Sequence, residues 1–328
     1  MEKVISGIRP TGNLHLGNYF GAIKSFLQMQ NEYNCMFFIA DWHSLTTHPT
    51  PENIRQSVRT ILSEYLACGI DPEKAPIYVQ SDVKPVLELY LYLNMNAYLG
   101  ELERVTSFKE KARTQPDNIN AGLLTYPTLM AADVLAHKAD KVPVGKDQEQ
   151  NMEMMRLFAR RFNRIYQVDF FKEPQSYHFY KTAVKVPGLD GSGKMGKSNG
   201  NCIYLCDDEA TIRKKVMKAV TDSGPTQLNQ EKPEVIQNLF TLLELVSTKD
   251  TCEYFNDQYN QMTIRYGDLK KQLAADINAF CAPIRERIIE FQNNDDYIHR
   301  VAKQGAERAS ESAERTLREV RQIIGFHP

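Results

Sequence analysis

The six apolar residues Cys35-Met36-Phe37-Phe38-Ile39-Ala40, unbroken by any polar side chain, most constrain the fold of this chain. A strand with water on one face alternates apolar and polar residues. An unbroken run therefore reads as a strand buried on both faces, as in a parallel sheet with helices on each side. Neighbouring segments repeat the theme: Val4-Ile5 opens a short strand, Ile77-Tyr78-Val79 reads as another, and Val142-Pro143-Val144 as a brief one. Helical patterns lie between them. Tyr19, Ile23, Phe26 and Leu27 fall at helical spacing, and residues 51–69 read as a helix with Thr50 as its cap, Pro51 in its first turn and Gly69 at its end. Further helices are predicted from about Pro85, over 121–139 and over 147–164. This alternation predicts an α/β fold built on a doubly wound parallel sheet.

The pattern changes near residue 190. Gly188 to Gly200 holds five glycines and four Lys or Ser residues among thirteen, the composition of a mobile loop. Beyond it the spacing is helical over about 207–219, 233–246, 264–280 and 295–323. The predicted organisation is a sheet domain over 1–190, then the loop and a C-terminal all-helical domain over 191–328. A length of 328 residues accommodates two domains. Forty Lys and Arg against 41 Asp and Glu leave a net charge of −1, which excludes a strongly basic nucleic-acid coat but permits a local basic track. No apolar run approaches the ~20 residues of a membrane span, and the N-terminus lacks the apolar core of a signal peptide. A soluble cytoplasmic protein with no membrane or DNA partner is expected. The six cysteines are scattered, with Cys202 and Cys206 the one close pair, and no metal site is predicted.

Two segments can carry chemistry. The first strand runs into Gly7-Ile8-Arg9-Pro10-Thr11-Gly12-Asn13-Leu14-His15-Leu16-Gly17-Asn18, just ahead of a helix. In a parallel sheet, ligands gather beyond the strand C-termini. Gly7 and Gly17 let a flat ring or a phosphate approach the backbone, and His15 and Asn18 can donate to phosphate oxygens beside the helix N-terminus. The alternative is an ordinary glycine-rich turn. The second segment is Lys194-Met195-Gly196-Lys197-Ser198. Two ammonium groups three residues apart can close over a polyphosphate and stabilise charge on a leaving pyrophosphate; the alternative is a solvated lysine loop.

His15-Leu16-Gly17-Asn18 followed about 180 residues later by Lys194-Met195-Gly196-Lys197-Ser198 resembles the two signatures of class I aminoacyl-tRNA synthetases. Further segments resemble the bacterial-type tryptophanyl-tRNA synthetases: Gly7 to Gly12, Asp41-Trp42-His43-Ser44-Leu45-Thr46, Gly100-Glu101-Leu102-Glu103-Arg104, Tyr126-Pro127-Thr128-Leu129-Met130-Ala131-Ala132-Asp133, Val142-Pro143-Val144-Gly145-Lys146-Asp147-Gln148 and Ala219-Val220-Thr221-Asp222-Ser223. The resemblance implies a Rossmann-like catalytic domain, ATP with Mg²⁺, L-tryptophan and tRNA(Trp) as partners, and a homodimer whose helical domain reads the anticodon.

Tyr126, Met130 and Asp133 fall at i, i+4 and i+7, one helix face that is apolar but for a single carboxylate. An indole is a flat apolar body with one N–H donor, so a pocket aiming Asp133 at that N–H selects tryptophan over phenylalanine. Alternatively Asp133 pairs with Lys138 or Arg104. Ile5, Gly7, Ala40, His43, Val142 and Val144, at strand ends, can complete the pocket. The resemblance implies that His43 and Gln148 orient the amino acid; His43 alone would read as a satisfied core histidine. It also implies that Gly145, Lys146, Asp147 and Val186 contact the adenosine and that Lys111 reaches the pyrophosphate. Arg9, Pro10, Thr11, His15, Gly17 and Asn18 join Lys194 to Ser198 around ATP. Lys194, Lys197, Lys111 and Asn18 are the expected catalytic groups.

Three departures stand out. Gly196 replaces the usual serine, removing a hydroxyl from the loop. Arg9 stands where many relatives carry glutamine, and its guanidinium can bind the substrate carboxylate or an ATP phosphate. The cysteine spacing does not match the iron–sulfur cluster of some relatives, so none is expected. The rival readings are a tyrosyl-tRNA synthetase, a small nucleotidyltransferase, or a regulatory paralogue that binds without charging tRNA. Arg213, Lys214, Lys215 and Lys218 cluster on one predicted helix, and Arg300, Lys303, Arg308, Arg315, Arg318 and Arg321 spread along the last; a subset is expected to touch tRNA phosphates.

Overall fold

The computed structural model describes residues 1–145, 148–177 and 185–326. Five strands, β1 (Lys3–Ile8), β2 (Asn34–Ile39), β3 (Ile77–Val79), β4 (Lys141–Pro143) and β5 (Gln175–Tyr177), form one sheet in the order β3-β2-β1-β4-β5. Every neighbouring pair is parallel, with Val4 opposite Cys35 and Ile8 opposite Ile39. The chain starts in the middle of the sheet, winds outward through β2 and β3, then returns to add β4 and β5 on the other side of β1. Where the winding reverses, between β1 and β4, the following loops diverge and leave a crevice at the strand C-termini.

The apolar run behaves as its composition requires, with Cys35 through Ala40 all buried. Cys35, Phe37 and Ile39 join the core on one face, against the helices Lys24–Glu32 and Pro51–Cys68. Met36, Phe38 and Ala40 join the other, against the helices Pro85–Met95, Tyr126–Leu135 and Glu149–Tyr166. The caps read from sequence also form: Thr50 Oγ1 accepts the Asn53 N–H at 3.2 Å and Gly69 ends the helix at φ 106°. Residues 121–139 instead divide at Thr125 into two helices, Ala121–Leu124 and Tyr126–Leu135, with Pro127 in the first turn of the second. Strand β5 and the helix Lys249–Asn260 were not foreseen. Their sequences, Gln-Ser-Tyr and a largely polar twelve-residue stretch, carry little apolar period.

The helix Tyr266–Gln292 packs on Pro51–Cys68 and shares its apolar core, so the helical part continues one face of the sheet domain. The final helix, Asp295–Ile324, crosses from one core to the other. Ile298, Val301 and Ala302 lie in the first, and Ala306, Ala309, Ala313, Leu317 and Val320 in the second. Between these sets the helix passes over β3, where a Cβ on Gly305 would fall 2.0 Å from the Ile77 carbonyl oxygen. Backbone thus lies on backbone and covers a strand at the end of the sheet, a site that otherwise invites pairing with another chain. The boundary read at 190/191 assigns this helix to the helical part, whereas in the fold it packs on the sheet. Among the described residues no helix is long and apolar enough to cross a membrane.

Because nothing but hydrogen fits at that crossing, Gly305→Ala is expected to lower stability by about 1–3 kcal/mol, as overpacking does. A urea melt measures it, and an unchanged midpoint would mean that the helix does not rest on β3.

Candidate active site

The crevice at the β1/β4 reversal is a cavity of about 250 Å³. Ile5 and Gly7 reach it from β1, and Val142 and Val144 from β4 and its end. Tyr126, Met130 and Asp133 face it from one side of their helix, His43 enters from the turn after β2, and Gln148 and Gly145 from the segment after β4. The structure therefore brings together every residue expected around a flat aromatic ligand. Gly7 is required by close approach: a Cβ there would meet the Phe38 ring at 2.3–2.8 Å. The Phe38 ring accordingly lies against the β1 backbone and walls the cavity, a role that sequence alone did not suggest.

Asp133 is 3% exposed and is the one carboxylate among the described residues that line the cavity. His43 Nε2 lies 2.8 Å from its Oδ2, and Gln80 Nε2 donates to its Oδ1 at 2.7 Å. A carboxylate only accepts, so the His43 proton on this contact sits on Nε2. Burial raises the Asp133 carboxyl above the usual carboxylate range, and the His43 and Gln80 hydrogen bonds oppose that rise. The pairing with Lys138 or Arg104 considered from sequence does not form; Lys138 instead bonds Glu319. His43 is thus a buried histidine paired at Nε2, its Nδ1 without a partner among the described residues, and it also walls the site, its ring centroid 4.3 Å from that of Tyr126. Gln80 was missed, although its place directly after β3 is where an α/β sheet puts ligand-facing groups. Arg9 stands at the cavity with Nη2 3.3 Å from Thr47 Oγ1 and a buried Nε that has no partner among the described residues.

Beside this cavity the two signature segments meet. Leu16 N donates to Ile203 O at 3.0 Å and Leu205 N to Leu14 O at 2.9 Å, so the chain just past the lysine loop pairs antiparallel with the His15 turn. Lys197 Nζ then donates to Gly12 O at 2.9 Å and Thr11 O at 3.3 Å. Met195 is buried and its N–H bonds Val186 O at 2.8 Å, which fixes the loop's middle and places Val186 in the core. Asn201, also buried, ties the stretch that composition marked as mobile: it bonds Asp190 and Ser192 side chains, Lys194 O and Gly196 N. A serine would fit at Gly196, where a Cβ would have only ordinary contacts of 3.7 Å and beyond. Lys194 and Ser198 are exposed.

His15 is buried, and burial together with the Lys197 and Lys194 charges pushes its imidazole down to about 4. It is therefore neutral at physiological pH, with a buried Nδ1 that has no partner among the described residues. Asn18 Oδ1 accepts the His15 N–H at 3.1 Å, which turns the carboxamide's own N–H groups away from that bond. Pro10 is buried and Thr11 exposed on the same turn. Lys111, half-buried on the helix Thr106–Thr114, is held by none of the bonds that join the two signatures. Lys146 and Asp147 lie outside the described residues. A largely apolar slot, with one carboxylate among its described lining residues, thus abuts a turn rich in donors and cations. Such an arrangement can hold a flat ring bearing one N–H at one end and a polyanion at the other.

Comparison with known proteins agrees with this geometry. Residues 2–282 match the family described as tRNA synthetases class I (W and Y). The chain is 74% identical over 326 residues to the tryptophan–tRNA ligase of Porphyromonas gingivalis, covering 99% of this chain and 100% of that one. It is 40% identical over 332 residues to the tryptophan–tRNA ligase of Listeria monocytogenes, covering 99% and 98%. Among solved structures it is similar to tryptophanyl-tRNA synthetase from Campylobacter jejuni complexed with ADP and tryptophan, with a TM-score of 0.89, 33% identity, and coverage of 99% and 100%.

The Asp133 contacts carry a consequence for stability. Gln80→Leu removes one of two donors from a buried carboxylate and is expected to cost about 1–3 kcal/mol, the price of an unsatisfied buried acceptor. Chemical denaturation checks this, and no loss would mean that Gln80 does not hold Asp133.

Proposed function

The chain belongs to the class I tRNA synthetases that serve tryptophan and tyrosine and acts as a tryptophan–tRNA ligase, and from that premise we propose how its residues divide the work. It activates L-tryptophan with ATP to tryptophanyl-adenylate and pyrophosphate, then transfers tryptophan to tRNA(Trp). The observation that carries the residue assignment is Asp133, the one carboxylate among the described residues lining a largely apolar cavity, already oriented by His43 and Gln80. The indole fills the cavity with its N–H on Asp133, while phenylalanine offers nothing to that carboxylate's remaining acceptor capacity. Sites built around one hydrogen bond discriminate by about 10⁴–10⁵. Met130, Tyr126, Ile5, Gly7, Val142 and Val144 enclose the ring, and Gln148 and Arg9 face its polar end.

The tryptophan carboxylate is already a nucleophile, so attack on the α-phosphorus needs no general base. Positioning and charge stabilisation supply the catalysis. Lys197, released from the Thr11 and Gly12 carbonyls, follows the departing pyrophosphate together with Lys194 and Lys111. His15 donates as a neutral imidazole and Asn18 through its amide. Gly17, Gly145, Lys146, Asp147 and Val186 surround the adenosine, and Mg²⁺ enters with ATP without protein ligands of its own. A terminal ribose hydroxyl of tRNA, the 2′-OH in this class, then attacks the acyl carbon, forming the ester as the bond to the α-phosphate oxygen breaks and AMP leaves.

Residues 1–190 supply this chemistry, and the helical part past the loop meets tRNA. Arg213, Lys214 and Lys218 make no ion pair among the described residues, unlike Lys215, which Asp207 holds. The last helix offers less free charge, because Glu88 and Glu314 hold Arg321 and the Pro72 and Glu73 carbonyls hold Arg308. The active form is a cytoplasmic homodimer in which the helical domain of the opposite subunit reads the anticodon. Exposed Leu87, Leu91 and Met95, at i, i+4 and i+8 on the helix Pro85–Met95, with Tyr98 and Leu99 beyond, form an apolar stripe suited to a second copy.

ATP–pyrophosphate exchange with tryptophan, tyrosine and phenylalanine tests the assignment. Exchange is expected with tryptophan alone, and exchange with tyrosine would overturn the role given to Asp133. Lys197→Ala is expected to lower the rate by roughly 10²–10³, as loss of one transition-state donor does, with a smaller change in tryptophan KM. A wild-type rate would remove Lys197 from catalysis. Leu91→Glu with Met95→Glu is expected to shift the protein from dimer to monomer in analytical ultracentrifugation, and a persisting dimer would place the interface elsewhere.

A further inference from the structure

The helix Pro51–Cys68 runs beneath the His15 turn and sends one ionisable side chain into it. Glu64 is fully buried; its Oε2 accepts the Leu14 N–H at 2.6 Å, and its Oε1 has no partner among the described residues. A half-satisfied carboxyl in a core is costly, and here it sits one residue from His15. The charge that acts on it is Lys197, which rests on the Thr11–Gly12 carbonyls of the same turn. The other ionisable groups facing it are thiols, namely Cys68 on its own helix and Cys206 on the segment past the lysine loop. Burial raises both, Cys206 to about 11, so they are neutral. Behind them on the helix Tyr266–Gln292, Cys281 is pushed up to about 12, Arg287 donates to Leu66 O, and Arg285 donates to Asp207 O. Asp207 itself is paired with Lys215.

We propose that Glu64 is a positioning residue of the nucleotide site: it props the Leu14–His15 backbone and couples ATP binding at that turn to the uptake of a proton. A triphosphate and an ionised Glu64 compete for the same cation, Lys197. The coupling rests on the reading of Lys197 as a phosphate ligand. Burial raises the Glu64 carboxyl to about 8, against the pull of the Leu14 N–H and Lys197, so both of its forms are accessible near neutral pH. A polyanion that engages Lys197 takes away part of that pull and adds repulsion, so the protonated form binds ATP better. ATP affinity therefore falls as pH rises through about 8. His15, at about 4, does not titrate in this range, and a terminal phosphate, whose second pKa is about 6, is already largely ionised at its lower end.

Lys197 supplies the competing explanation, because burial lowers its ammonium and its deprotonation also weakens ATP binding. Glu64→Gln separates the two. It keeps the acceptor for Leu14 but removes the anion that raises Lys197, so a lysine-driven loss of affinity moves to lower pH, whereas a Glu64-driven loss disappears.

The experiment is ATP titration calorimetry without tryptophan, from about pH 7 to about pH 9, in buffers of different ionisation enthalpy. Wild type is expected to take up protons on binding and to weaken roughly fivefold over that range, while Glu64→Gln does neither. Equal proton uptake in both proteins, or a Glu64→Gln profile displaced to lower pH, would overturn the proposal. Thermal melts provide a second reading. A carboxyl raised in the folded state is protonated there and ionised in the unfolded chain between its ordinary value of 4.5 and about 8, so it withdraws stability as pH rises through that window. Wild type should lose stability relative to Glu64→Gln across it; parallel melting curves would mean that Glu64 does not titrate there and would count against the coupling. Lys197→Ala binding ATP as wild type does would overturn the reading of Lys197 and the coupling together. Loss of binding in Lys197→Ala with coincident wild-type and Glu64→Gln profiles would overturn only the role of Glu64.

Discussion

Two backbone hydrogen bonds, Leu16 N to Ile203 O and Leu205 N to Leu14 O, hold the rest of the site in place. They join segments nearly 190 residues apart in the chain and set the lysine loop directly over the His15 turn. Given that pairing, Lys197 reaches the Thr11 and Gly12 carbonyls, Met195 drops into the core, and His15 is held neutral by its burial and by the lysines near it. Because these bonds run between main chains, they restrict side-chain identity little, so the positions around them are free to serve the substrate.

The same economy shapes the amino-acid site. A buried carboxylate is tolerated only when donors surround it, and Asp133 finds them on two different elements, the turn after β2 and the end of β3. Those donors fix the direction in which its remaining acceptor capacity points. On the proposed role of Asp133, discrimination among aromatic amino acids rests on one hydrogen bond inside a largely apolar wall, with Phe38 able to lie against β1 because residue 7 has no side chain. Positive charge is concentrated a short way off, around the His15 turn, so the two ends of the site differ sharply in polarity.

Much of this was legible from residues alone. The buried strand showed itself in the apolar run from Cys35 to Ala40, the helix 51–68 in Thr50, Pro51 and Gly69, and the ring-facing side of another helix in the spacing of Tyr126, Met130 and Asp133. Gln80 and Phe38 escaped because their roles depend on which neighbour lies across the sheet, and no local pattern reports that. The partner of Asp133 was sought among basic residues close in sequence, yet it lies on His43, ninety positions away. The Gly188–Gly200 stretch read as loose because its anchor, Asn201, falls just past its end.

What the sequence by itself determined is therefore periodic and local: strand burial, helix caps, the face that carries Asp133, and two short signatures whose order points to a nucleotide-using synthetase. Tertiary structure decided the rest. It set the last helix across β3 through the bare backbone of Gly305, brought Glu64 under Leu14 from fifty residues away, and let Gln80 share Asp133 with His43. Local patterns encode how a segment buries its apolar face. They do not encode which distant group will meet its polar atoms, because that choice is made only when the elements pack.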